Sequence, residues 1–162
     1  MLVPFTSLPN SARVWIYQSS REFSADEKQQ LHTILDEFLT QWTAHGAHLH
    51  AGYDLPYNRF IILGLDEAEQ NATGCSIDAS VGLIQQLEQK FGIDLLDKMN
   101  VTFRQKDSLE YMPLKDFRKL AKTKAITSQT IVFNNLVVNK GEYESHWEVP
   151  AAQSWHARFI KK

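Results

Sequence analysis

The sequence predicts an α+β fold in which two helices cover one face of a mainly antiparallel sheet. Two amphipathic patterns carry the helices: Leu31, Ile34, Leu35, Phe38, Leu39 and Trp42 share one helical face, and Ile77, Val81, Ile84, Leu87 and Phe91 share another. Between them lie an alternating segment, 47–54, and a nearly continuous apolar one, 59–65, joined by a link too short for a crossover. With a strand on either side of these elements, the order through residue 104 is strand, helix, strand, strand, helix, strand. That is the βαββαβ order of a ferredoxin-like core, and a C-terminal αβ extension follows it.

Residues 2–12 carry Pro4, Pro9 and Asn10 and read as an irregular lead-in. Residues 13–18, Arg-Val-Trp-Ile-Tyr-Gln, are rich in β-branched and aromatic side chains and form the first strand. Ser24-Ala25-Asp26-Glu27 has the form of a capping box that opens the first helix, and Gly46 is placed to stop it. In 47–54, Ala47, Leu49, Ala51 and Tyr53 point one way, and His48, His50, Gly52 and Asp54 the other. Pro56 sits in a turn, so this strand and 59–65 pair as a hairpin. The second helix ends at Gly92, and 93–99 predicts one more helical turn.

Residues 101–104 return as a strand, and 105–108 turn the chain back. Pro113 suits the first position of a third helix that runs to about residue 125. Residues 130–133 and 136–138 are strand-like, and the tail from Gly141 is rich in Trp and His without clear periodicity. No repeat, linker or low-complexity tract interrupts the chain. One domain is therefore expected, with its core over about 13–104 and the extension over about 105–162. The short link between the second and third strands and the lack of a Gly-x-Gly-x-x-Gly turn after the first count against a dinucleotide-binding sheet.

A chain of 162 residues can bury a core without metal or disulfide support. With 43% hydrophobic and 22% charged residues it has the composition of a folded soluble protein. A formal charge of −2, from 17 basic and 19 acidic residues, lacks the overall footprint of a dedicated nucleic-acid binder, so nucleic acid is not an expected partner. The single cysteine forms no intramolecular disulfide, which suits the cytoplasm. The N-terminus has no signal-peptide pattern, and the longest apolar run, 60–65, is far too short to span a bilayer. No membrane association is expected. Asn71-Ala72-Thr73 matches a glycosylation acceptor, which matters only on a secreted chain.

Five strings together point to a family: Trp42-Thr43-Ala44-His45-Gly46, Tyr57-Asn58-Arg59-Phe60-Ile61-Ile62-Leu63, Gly74-Cys75-Ser76-Ile77-Asp78-Ala79-Ser80, residues 94–103, and Thr130-Ile131-Val132-Phe133-Asn134-Asn135-Leu136. Over nearly the whole chain they resemble a family of short bacterial proteins, some of which carry the label "ABC transporter ATPase". The resemblance implies no catalytic residues. The label itself fails a physical requirement, because the chain holds no Gly-x-x-x-x-Gly-Lys-Ser/Thr loop to cradle the phosphates.

The strongest candidate site is Gly74–Ser80, where an apolar strand and acidic loop hand over to a helix start. Cys75 is the candidate nucleophile, and the free amides of a first helical turn favour negative charge there. Gly74, Ser76, Asp78 and Ser80 are the candidate ligand-binding residues. A helix cap at Ser76 and a buried Cys75 would account for the same residues without chemistry. His48 and His50, with His45 and Asp54 nearby, form a partial metal pattern that lacks a third ligand fixed by spacing. Asp66, Glu67 and Glu69 could bind a cation or serve as a base, or form a solvated loop.

On the third helix, Lys115, Arg118, Lys119 and Lys122 share a face, with Lys124 just beyond. Trp147, Trp155 and His156 in the tail could pack on the sheet or face a partner. Together these features predict a non-catalytic binding or regulatory module for a small anionic ligand or a protein partner, with no cofactor. A cysteine-dependent enzyme built on Cys75 is the alternative, and a structural subunit of a homo-oligomer is the third reading.

Overall fold

The computed structural model describes residues 1–160, and Cα packing divides the chain into two units. The first is Met1–Leu96 with Val138–Gly141; the second is 97–137 with 142 onward. The first contains β1 (Arg13–Gln18), α1 (Ala25–Gln41), β2 (Thr43–Ala44), β3 (Ala47–His48), β4 (His50–Asp54), β5 (Phe60–Asp66) and α2 (Gly74–Phe91). The α+β class and the antiparallel pairing are as the sequence predicts.

The central sheet has the order β1-β5-β4, with both neighbours antiparallel to β5. One face of β5 supplies Ile61, Leu63 and Leu65 to a core shared with Leu31, Leu35 and Leu39 of α1 and Leu83, Ile84 and Leu87 of α2. The other face is covered by the lead-in, which makes a short 3-10 turn at Phe5–Ser7. Gly52 and Gly64 are cross-strand partners under it. A Cβ on Gly52 would stand 2.6 Å from the Val3 carbonyl oxygen, and one on Gly64 would stand 2.6 Å from Leu8 Cδ1. The lead-in lies directly on the sheet because these two positions lack side chains.

Both outer strands of this sheet are bordered. Leu2 bridges Ala51 of β4, and the Ala51 amide donates to the Met1 carbonyl at 3.1 Å. On the β1 side, the Val14 amide donates to the Val138 carbonyl at 3.0 Å and Arg13 bridges Asn139. The buried Lys140 then donates from Nζ to the carbonyls of Leu8 at 2.7 Å and Thr6 at 3.1 Å, which fastens the lead-in. Residues 136–138, expected as a strand, are instead this border segment and its approach.

The first helix opens with the expected capping box. Ser24 Oγ accepts from the Glu27 amide at 3.1 Å and Glu27 Oε1 accepts from the Ser24 amide at 2.9 Å. Gly46 does not stop it, however. The helix ends at Gln41, and His45 and Gly46, with φ of 51° and 77°, make the two-residue turn of a β2–β3 hairpin. Two successive positive φ values are what such a turn requires. The expected strand 47–54 is correspondingly broken at Leu49, whose amide donates to the Trp42 carbonyl. The predicted helical turn over 93–99 is irregular chain, because Glu88 Oε2 accepts from the Leu95 and Leu96 amides and holds the backbone open.

The second unit contains β6 (Asn100–Gln105), β7 (Ser108–Pro113), α3 (Leu114–Lys122), β8 (Ile131–Phe133) and β9 (Glu148–Pro150), together with α4 (Lys140–His146) from Glu142 onward, its first two residues belonging to the first unit. Its sheet has the order β7-β6-β8-β9, antiparallel throughout. The sixth element of the expected core, β6, therefore pairs within this sheet. A tight turn with Lys106 at φ 56° gives it a hairpin partner in β7, and the neighbouring place on β1 is taken by residues 138–139. Helix α3 is shorter than expected, since Lys124 turns left-handed at φ 63°. Val101, Phe103, Phe117, Ala121, Ile126, Val132 and Ala151 form the core here. No helix among the described residues is long and apolar enough to cross a membrane.

Candidate functional site

The buried face of α2 is rotated from the one that hydrophobic spacing predicts. Ser76, Ser80, Leu83, Ile84 and Leu87 are buried, while Ile77, Val81 and Phe91 are only half-buried. Two serines can lead a buried face because a serine hydroxyl can be satisfied by its own helix. Ser80 Oγ donates to the Ile77 carbonyl at 2.6 Å and also bonds the Tyr17 hydroxyl. Ser76 is not the cap. Thr73 is: its Oγ1 accepts from the Ser76 amide at 3.1 Å, and Ser76 Oγ accepts from the Thr73 amide at 2.7 Å.

The box turns the Ser76 hydroxyl away from solvent and the Ile77 carbonyl holds that of Ser80, which leaves the exposed part of the motif to Gly74, Cys75, Asp78 and Ala79. Cys75 is a free, exposed thiol on the first turn of α2, so its expected alternative as a small buried hydrophobe does not apply. Gly74 is the first helical residue, and a side chain there would meet nothing within 4 Å. Among the described residues, nothing accepts from the Gly74 or Cys75 amides.

Cys75 lines an open groove of about 310 Å³ with Phe38, Gln41, Trp42, Thr43, Ser76 and Ala79. Trp42 builds its wall. Its indole Nε1 donates to the Ser76 carbonyl at 2.8 Å, and its ring meets Phe38 at 5.6 Å and Trp15 at 6.0 Å between centroids. The spacing of Phe38 and Trp42, one helical turn apart, was the available signal for this wall. The other six lining residues are Phe38, Gln41, Trp42, Thr43, Ser76 and Ala79, so the groove brings the thiol no acid or base.

The histidines lie elsewhere. His48 is exposed on β3, and His50 on β4 stands 3.8 Å from Glu69. The break at Leu49 removes the shared strand face that their spacing implied. Among the described residues no three His, Cys, Asp or Glu side chains are placed to hold a metal ion. The acidic loop, with His45, borders a second groove of about 410 Å³. Its carboxylates are engaged locally: Asp66 accepts from the Ala68 amide and Glu67 from the Ala72 amide, both at 3.0 Å.

One cluster was invisible to spacing. Tyr53 donates to Asp36 Oδ1 at 2.8 Å and meets His32 Nδ1 at 2.7 Å. Partial burial, followed by the Asp36 bond, pushes the Tyr53 phenol above its ordinary range. A phenol held protonated in this way braces α1 against β4 and is a poor base. In the second unit, Trp147 is packed between Phe133 and Tyr143 with its Nε1 on Asn135 Oδ1, and His156 is buried under Trp155.

Comparison with protein-family models, with curated proteins and with solved structures finds no match to this chain.

Proposed function

We propose that the protein is a non-catalytic binding or regulatory module whose ligand, a small anion, docks in the groove at the start of α2. The observation that supports this reading most directly is the combination of two first-turn amides on exposed residues, Gly74 and Cys75, with a groove wall that offers no general acid or base. Ser76 then serves by shaping the first turn and Ser80 by lying on the buried face of α2, while Gly74, Cys75 and Asp78 meet the ligand. A cytoplasmic location and membership of the short bacterial family that the sequence resembles belong to the same proposal. So does the reading of the first unit as a ferredoxin-like half, with residues 138–141 in the fourth strand's place.

The test uses proline. At the first helical position it removes one amide donor without disturbing the helix, and Thr73 before it is already extended at φ −107° and ψ 167°. Phosphate and nucleotides are expected to raise the melting temperature of the wild type and not of Gly74→Pro. No rise across such a panel would overturn the anion reading.

A cysteine-dependent enzyme remains the second reading, because Cys75 is exposed. It requires an acid or base brought in by the substrate itself, and it predicts loss of turnover in Cys75→Ser. A role as a subunit of a homo-oligomer would use the outer strands of the second sheet, β7 and β9. Light scattering that reports a monomer would remove it.

A further inference from the structure

The near-neutral total charge conceals two opposite ones. The stretches that make up the first unit hold twelve acidic and six basic residues, a formal charge of −6. Those of the second hold seven acidic and eleven basic, a formal charge of +4. Asymmetry of this size between parts of a chain points to a polyanionic partner for the basic part.

The excess is organised. Lys115, Arg118, Lys119 and Lys122 are all exposed on one face of α3, opposite the buried Phe117 and Ala121. A 3-10 segment, Trp155–Phe159, adds Arg158 beside them. The guanidiniums of Arg118 and Arg158 both lie over the half-buried Phe159 ring, 5.4 and 5.8 Å from its centre. Trp155 stands edge-on to the same ring at 6.2 Å and is itself stacked on the buried His156 at 3.8 Å. Cations thus alternate with held, partly exposed aromatic rings. An acidic peptide would use only the charge. Phosphodiesters joined to flat bases would use both, since guanidinium forks suit phosphate and any base can stack on a π surface.

We infer that the face formed by α3 and residues 155–159 binds single-stranded nucleic acid through its phosphates, with bases stacking at Phe159 and Trp155. The test is fluorescence anisotropy on the full chain with labelled RNA and DNA single strands of about 20 nucleotides at about 50 mM salt. Saturable binding is expected, with a log–log salt slope of about −3, as for four phosphate contacts on a single strand. The arm that binds tighter, RNA or DNA, identifies the natural strand. Arg118→Glu combined with Lys122→Glu is expected to weaken binding at least about tenfold and to flatten the slope. Lys28→Glu with Lys90→Glu, on α1 and α2, is expected to leave it unchanged, and circular dichroism checks the fold of each variant. The inference is overturned by absence of binding, by equal loss in both double variants, by a duplex that binds as tightly, or by polyglutamate of equal charge that displaces the strands equally well.

Discussion

The indole N–H of Trp42 donates to the carbonyl oxygen of Ser76 at 2.8 Å, which ties the residue that ends α1 to the first turn of α2. The bond is buried, and its acceptor lies next to the exposed thiol of Cys75. Trp42→Phe keeps a ring in the groove wall and removes the donor. A loss of about 0.5–1.5 kcal/mol in urea unfolding is expected, as for one net hydrogen bond, since the Ser76 carbonyl keeps its place in the helical ladder. An unchanged midpoint would mean that the groove does not depend on this bond.

Cys75 is exposed at the groove, so Cys75→Ala should shift stability by less than about 0.5 kcal/mol. The native protein should react with iodoacetamide at a rate close to that of a small free thiol. Labelling as slow as that of a buried control would contradict the exposed placement.

Gly52 and Gly64 admit the lead-in onto the sheet. Alanine at either position meets an atom at 2.6 Å, backbone oxygen in the first case and a leucine methyl in the second. Gly52→Ala is therefore expected to cost more than Gly64→Ala, because Leu8 can shift and the backbone cannot; overpacking of this kind costs about 1–3 kcal/mol. Equal melting temperatures for the two variants would argue against the difference.

Two groups set the acid sensitivity in separate windows. Burial pushes the His156 imidazole down to about 4. Between the ordinary histidine value of 6.5 and about 4 the unfolded chain takes up a proton that the folded chain does not, so stability falls as the pH is lowered through that interval. Glu27, held down to about 2 by its bond to Arg21, contributes stability above its unfolded value of 4.5 and loses it as the pH falls towards 2. His156→Phe should flatten the unfolding free energy between pH 6.5 and 4 and leave the lower window unchanged. Chemical denaturation across both windows reads the two effects apart.

The elements with a strong local cause were legible in the sequence: the Ser24–Glu27 capping box, the β4–β5 hairpin and the apolar β5. What was not legible depended on partners far away in the chain. Nothing in 136–141 announces that it borders β1, and nothing near Glu88 announces that its carboxylate will hold the amides of Leu95 and Leu96. The site divided in the same way. Its address was read from the glycine and cysteine before an apolar helix pattern. The inward turn of Ser76 and Ser80 was missed because a hydrophobic count assigns the buried face to Ile77 and Val81. The charge division was also hidden, since it appears only once 138–141 is assigned to the first unit and 97–137 to the second.

Lys140 donates its Nζ to the Leu8 carbonyl from 132 residues away. On a ribosome the sheet of the first unit thus exists as a length of nascent chain well before its border segment does. Until residues 138–141 emerge, β1 presents an unpaired outer edge, and the lead-in lies on the sheet without its fastening. Truncation just before Val138 should therefore yield a product that forms its α1–α2 core yet associates through β1, visible as concentration-dependent sedimentation. Residues 138–141 act on the rest of the first unit as a closing clasp in time as well as in space.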